Sequence, residues 1–138
     1  MSNSQNNAPK TILVVDDDRH VLDLMVEVLR EAGYEVRGAR DGQSALQMAA
    51  ESRPHLCLLD YRLPGINGLE LFDRLFIRCE GQTRAIMLSG TLPADEELEK
   101  RAIVGVSKPC DIDQILLLVN EKLLSTSTLE TVGNVYAS

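Results

Sequence analysis

Tryptophan is absent from the chain, and aromatic residues make up only 4% of it. A core built from this composition has to be aliphatic. Positive charge is also scarce: 14 Lys and Arg stand against 21 Asp and Glu, for a formal net charge of -7. Proteins that grip nucleic acid need clustered Lys and Arg, so no nucleic-acid surface is expected. Solubility explains most of the acidic excess. Cysteine occurs 3 times, at Cys57, Cys79 and Cys110, without the spacing of a disulfide framework or a zinc site. Reduced thiols in a cytoplasmic protein are the expectation, with Cys57 in the core. No apolar run reaches the length of a membrane span, so no membrane contact is expected. Residues Met1 to Lys10 are polar and rich in Asn and Ser, without the apolar stretch of a signal peptide. Residues 1–9 read as a disordered arm.

What is present is a regular alternation. Short continuous apolar runs occur at Thr11–Val15, His55–Leu59, Ala85–Leu88 and Ile103–Val106, with a weaker one at Tyr34–Arg37. Continuous apolar runs mark strands buried on both faces, as in a parallel sheet covered by helices. Helical patterns lie between them. Val21, Leu24, Met25, Val28 and Leu29 share a helical stripe, and Gly33 sits where a helix stops. Asp41 is placed to cap a second helix and Asn67 a third that runs to about Arg78. Pro93 opens a short charged segment, Ala94 to Arg101. Asp111 starts a last helix with Ile112, Ile115, Leu116, Val119 and Leu123 as its stripe. The order is βα repeated five times over 138 residues. It predicts one α/β domain over 10–124, a doubly wound five-stranded parallel sheet with helices on both faces, and a tail over 125–138.

In open parallel sheets the functional crevice lies beyond the carboxyl ends of the strands. Chemistry-bearing residues stand there. Asp16, Asp17 and Asp18 follow the first strand, Asp60 the third, Ser89 the fourth, and Lys108 and Pro109 the fifth. Singly, each has a plain explanation as a turn former, a cap or a solvated charge, and Asp18 suits a helix cap. Jointly, carboxylates from two strands would face each other and repel. A hard divalent cation such as Mg2+, with Lys108 as a fixed second charge, would relieve that repulsion. A carboxylate can attack a phosphoryl group, and positive charge and the Ser89 hydroxyl would then hold the equatorial oxygens.

The segments "ILVVDDD", "LLDYRLPGINGLEL", "MLSG" and "SKP", in this order and spacing, resemble the receiver domain of two-component response regulators. The resemblance runs from about Lys10 to Leu124, and it implies a flavodoxin-like strand order 2-1-3-4-5. It also implies that Asp60 is the phosphoacceptor. Asp17, Asp60 and the backbone carbonyl of Arg62 would ligate Mg2+ (or Mn2+) directly, with Asp16 acting through water. Ser89 matches the switch hydroxyl, Lys108 the phosphate-pairing lysine, and the Lys108–Pro109 peptide is expected to be cis. The implied upstream partner is a histidine kinase or phosphotransfer protein, docking near Arg19, His20, Leu22 and the loop after Lys108. Any enzymatic activity would be limited to phosphorylation and dephosphorylation of its own Asp60.

The chain departs from the family's pattern in three places. Gly105 stands where the family carries an aromatic switch residue. The interval from Ser89 to Lys108 is shorter by about three residues, which calls for a short or irregular fourth helix. Cys110 replaces an aromatic after Lys-Pro. No output domain is expected after Leu124, so output would be protein contact with a downstream target. The surplus leucines of the last helix (Leu116, Leu117, Leu118, Leu123 and Leu124) offer a surface for a partner or a homodimer. Two rival readings differ in their nucleophile. A haloacid-dehalogenase-like phosphatase would use Asp16, with Asp18 as its second acid. A pseudo-receiver would use no nucleophile and act only as an interaction module.

Overall fold

The structure is a computed structural model that describes residues 8–137, with side chains described through Leu124. Most of the arm read from the sequence lies outside the described residues. Five strands form one parallel sheet: β1 (Thr11–Val15), β2 (Glu35–Ala39), β3 (Leu56–Leu59), β4 (Arg84–Ser89) and β5 (Val104–Ser107). Their spatial order is β2-β1-β3-β4-β5. The helices are α1 (Arg19–Glu31), α2 (Gly42–Glu51), α3 (Gly68–Arg78), α4 (Asp95–Lys100) and α5 (Ile112–Ala137). A small antiparallel ladder, Arg62–Leu63 with Ile66–Asn67, links β3 to α3. This is the flavodoxin-like arrangement expected.

The central strands are apolar along their interiors, from Ile12 to Val15, Leu56 to Leu59 and Ala85 to Leu88, because each face has its own core. Ile12 and Val14 of β1, Leu56 and Leu58 of β3, and Ile86 and Leu88 of β4 pack with Leu22, Met25 and Leu29 of α1 and with Ile115, Val119 and Leu123 of α5. The alternate residues Leu13, Val15, Cys57, Leu59, Ala85 and Met87 pack with Ala45 and Ala49 of α2 and with Leu71, Phe72 and Leu75 of α3. Side chains alternate across a strand, so a run without polar interruptions is what burial on two sides demands.

Local caps set the helix starts. The Asp18 carboxylate accepts the backbone N–H groups of His20 and Val21 at 3.0 and 3.4 Å. Asp41 accepts that of Ser44 at 2.7 Å. Asn67 and Glu70 form a reciprocal capping box at the start of α3. The fourth helix has only 6 residues, as the shortened interval requires. The α5 backbone is helical to Ala137, through the stretch read above as a tail. Among its surplus leucines, Leu117 and Leu124 are exposed, Leu123 is buried, and Leu116 and Leu118 pack partly against the core.

Candidate functional site

The site residues are held by backbone bonds that prolong the parallel ladder past the strand ends. The Asp16 N–H donates to the Ala39 carbonyl at 3.1 Å, that of Asp60 to Val15 at 3.0 Å, and that of Lys108 to Ser89 at 2.9 Å. Four strands, β1, β3, β4 and β5, therefore deliver three acids, a hydroxyl and an amine to one end of the sheet, and β2 contributes the Ala39 carbonyl that anchors Asp16. The Lys108–Pro109 peptide is cis.

Asp60 lies at the centre and is 8% exposed. Its Oδ1 accepts from the Ser89 hydroxyl at 2.7 Å and from the Arg62 N–H at 3.1 Å. Its Oδ2 accepts from Lys108 Nζ at 3.1 Å. The same amine donates to Asp16 Oδ2 at 2.6 Å, and Asp16 Oδ1 accepts the Asp18 N–H at 2.9 Å. Asp17 is exposed beside them. Carboxylate oxygens of Asp16, Asp17 and Asp60 lie within 4.8 Å of one another. Three hard oxygen donors at that spacing, one of them open to water, fit the chemistry of Mg2+ better than that of a soft metal.

Burial raises the Asp16 carboxyl above its ordinary value, and the Lys108 and Asp18 hydrogen bonds only partly offset this. Burial pulls the Lys108 amine down, but the hydrogen bonds and charges of Asp16 and Asp60 outweigh it and hold the amine above its usual value. The pocket is thus a buried carboxylate pair bridged by one cation, with a third carboxylate at its mouth.

The structure brings together Asp16, Asp17, Asp60, Ser89 and Lys108, and places the Arg62 backbone against Asp60. Asp18 is turned away to its cap. Gly105 lies on β5, beside Leu92 and Leu98 rather than in the pocket. Three supporting features were not read from the sequence. The Arg40 guanidinium donates to the Asp17 carbonyl at 3.2 Å. The Thr91 N–H donates to the Ser89 hydroxyl oxygen at 3.3 Å and orients it. Gly68 approaches so closely that a Cβ there would sit 2.5 Å from the Asp60 carbonyl oxygen. Only Gly68 carried a sequence signal, as the glycine following the Asn67 cap.

Comparison with known proteins agrees with this geometry. The family described as "response regulator receiver domain" matches residues 12–120. Sporulation initiation phosphotransferase F of Bacillus subtilis (strain 168) is 36% identical over 107 residues, covering 75% of this chain and 86% of that protein. The nitrogen assimilation regulatory protein NtrX of Azorhizobium caulinodans is 34% identical, and the probable transcriptional regulatory protein TcrX of Mycobacterium tuberculosis is 31% identical. The matched region spans only 27% and 51% of those two proteins. A CheY-like receiver domain protein from Methanospirillum hungatei JF-1 superposes with a TM-score of 0.79 at 28% identity, covering 88% of this chain and 98% of its own. A match over most of the chain, with the same fold, shows that this chain belongs to the response regulator receiver family, whose members are phosphorylated on aspartate in two-component signalling.

Proposed function

We propose that the chain acts as a single-domain receiver in the cytoplasm. It accepts a phosphoryl group on Asp60 from a histidine kinase or phosphotransfer protein and signals by contact with a protein target. The observation that carries this reading is the surrounding of the Asp60 carboxylate. Lys108, Ser89 and the Arg62 N–H all donate to its oxygens, and Asp16 and Asp17 stand alongside. The likeness to sporulation initiation phosphotransferase F over 86% of that protein's length supports a stand-alone relay role.

In the reaction, an Asp60 carboxylate oxygen attacks phosphorus. The new O–P bond forms as the bond to the donor's nitrogen or oxygen breaks, and the electron pair leaves with the donor. Asp17, Asp60 and the Arg62 carbonyl would hold Mg2+ (or Mn2+) directly, with Asp16 behind them. When bound, the ion supplies positive charge at the phosphoryl oxygens. Lys108 and Ser89 now donate to Asp60 itself. Both would transfer those hydrogen bonds to the incoming phosphoryl oxygens, so that charge on the product would be met by the same donors. Leu117 and Leu124, both exposed on α5, supply an apolar surface for a protein target or for a homodimer.

The test is intact-mass spectrometry after incubation with Mg2+ and acetyl phosphate. The expected result is one added phosphoryl group on the wild type and none on Asp60→Asn. An adduct that survives in Asp60→Asn would move the nucleophile to Asp16 and sink the proposal. An unlabelled wild type, beside a receiver that is labelled under the same conditions, would favour a pure interaction module.

A further inference from the structure

A groove of about 960 Å³ opens at the pole opposite the acidic pocket. Its walls come from the amino-terminal side of the sheet: Lys10 precedes β1, His55 precedes β3 and Arg84 opens β4. Phe76 of α3 forms an apolar wall. Phe76 is 42% exposed, and its ring lies 5.5 Å, centroid to centroid, from that of the buried Phe72.

The charge in this groove runs against that of the chain. A protein of net charge -7 here gathers Lys10, Arg84, Lys100 and Arg101, and among the described residues Asp73 is the one carboxylate that lines the groove with them. Two of these cations are already neutralised: Arg101 by Asp73 and Glu97, and Lys100 by Glu97. Among the described residues, Lys10 and Arg84 form no ion pair. The surroundings register the surplus. The His55 imidazole is held below its usual value by burial and by Lys10. The Lys122 amine, next to the groove, is held down by burial and by Arg84. His55 Nδ1 accepts the Thr11 N–H at 3.0 Å, so in the neutral ring Nε2 carries the proton and can donate.

Unneutralised like charges in one concavity disfavour each other, and a bound anion removes that cost. The ring of Phe76 adds a stacking face, and the volume falls in the range of roughly 300–1,000 Å³ typical of small-molecule sites. We propose that this groove binds a small anion carrying a flat ring system, of the nucleoside-phosphate class. Its phosphates would lie against Lys10 and Arg84 and its ring against Phe76. This site is separate from the Asp60 chemistry and does not depend on it.

The test is isothermal titration calorimetry of the full chain with ADP in EDTA, which removes any cation bridge at the acidic pocket. Saturable one-to-one binding is expected. Adenosine (no phosphate) and pyrophosphate (no ring) should each bind about tenfold more weakly or worse. Arg84→Gln and Lys10→Gln should each weaken ADP by about tenfold, the loss of one charge-assisted hydrogen bond. Arg84→Lys should retain much of the binding, which separates a lost charge from a lost fold. Phe76→Leu should weaken ADP and leave pyrophosphate unchanged. Absence of saturable ADP binding would overturn the proposal, as would full affinity in the Lys10→Gln/Arg84→Gln double variant. So would loss of binding in Asp60→Asn, which would place the ligand in the acidic pocket. Pyrophosphate binding as tightly as ADP would overturn the assignment to ring-bearing anions.

Discussion

Replacing Lys108 by Met removes the amine that bridges the two buried carboxylates, while keeping most of the apolar stem. In the wild type the amine lies 2.6 Å from Asp16 and 3.1 Å from Asp60. Those acids are 3% and 8% exposed, so little water is available to take over. Removing one partner of a buried ion pair costs about 3–5 kcal/mol. The Lys108 side chain is itself 22% exposed, which favours the lower end, about 3 kcal/mol. At about 3–5 °C per kcal/mol for a domain of this size, Tm should fall by about 10 °C at neutral pH without divalent cation.

The pH dependence makes the test sharper. An acid whose folded pKa is raised adds stability below its unfolded value, and that stability is lost as pH rises through the folded pKa. Asp16 is such an acid, and the Lys108 hydrogen bond is the largest influence opposing its rise. Lys108→Met removes that influence, so Asp16 should titrate higher in the variant. The variant's deficit should therefore be small near pH 4 and grow with pH until Asp16 is ionised in both proteins. Urea unfolding in EDTA, repeated from about pH 4 to about pH 8, reads this directly. A deficit below about 0.5 kcal/mol at neutral pH would refute the reasoning, because it would make the pair no better than a screened surface contact. A deficit that does not change with pH would refute it equally.

Two further outcomes follow from the same geometry. Gly68→Ala would bring a Cβ to 2.5 Å from the Asp60 carbonyl oxygen, 2.9 Å from Met87 Cε and 3.0 Å from Tyr61 Cα. It should cost at least about 2 kcal/mol in urea unfolding and slow phosphorylation, whereas Gly90→Ala, facing open space, should stay within about 0.5 kcal/mol; equal costs would mean that the close approach at Gly68 does not matter. Burial pushes the Cys57 thiol up to about 12, and Cys79 is also buried with its thiol raised; a thiol-reactive dye at neutral pH should therefore label Cys110 alone in the native protein and all 3 cysteines in urea, and rapid native labelling of Cys57 would contradict its place in the core.

How much was legible in the sequence follows from how local each signal is. The caps at Asp18, Asp41 and Asn67 act over two or three residues, so a linear reading finds them. The strand ends were legible because each central strand is apolar on both faces. The edge strand was the least clear: Glu35 is exposed, and Arg37 and Gly38 are only partly covered, so its pattern is broken and its limits fell at Tyr34–Arg37 rather than at Glu35–Ala39. His55 was included in β3, but it stands just outside, with its ring on the Thr11 N–H. The acidic pocket was legible because its members each follow a strand. The bond from Arg40 to the Asp17 carbonyl was not, since nothing in sequence ties a side chain after β2 to a carbonyl after β1. The basic groove was hidden for the same reason: Lys10, His55 and Arg84 are scattered along the chain and meet only through the sheet.

Gly105 shows what a missing side chain leaves behind. A glycine in place of the family's aromatic residue leaves room for a vacancy. The structure has none, because a Cβ on Gly105 would lie 2.8 Å from Leu98 Cδ1 and 3.3 and 3.4 Å from the methyls of Leu92. Leucines from α4 and from the loop before it occupy the space. The short α4 makes this possible by lying close over β5, and Arg101 fixes its far end through bonds to Asp73 of 2.8 and 3.0 Å. Leu92 belongs to the loop that begins at Ser89, whose hydroxyl reaches Asp60 and accepts the Thr91 N–H. The spatial link from the acidic site to the α4 face therefore runs through close aliphatic packing on a bare backbone. Gly105 has no side chain to swing between an inward and an outward position, so a change at Ser89 would reach that face through the loop that carries Leu92 and through α4.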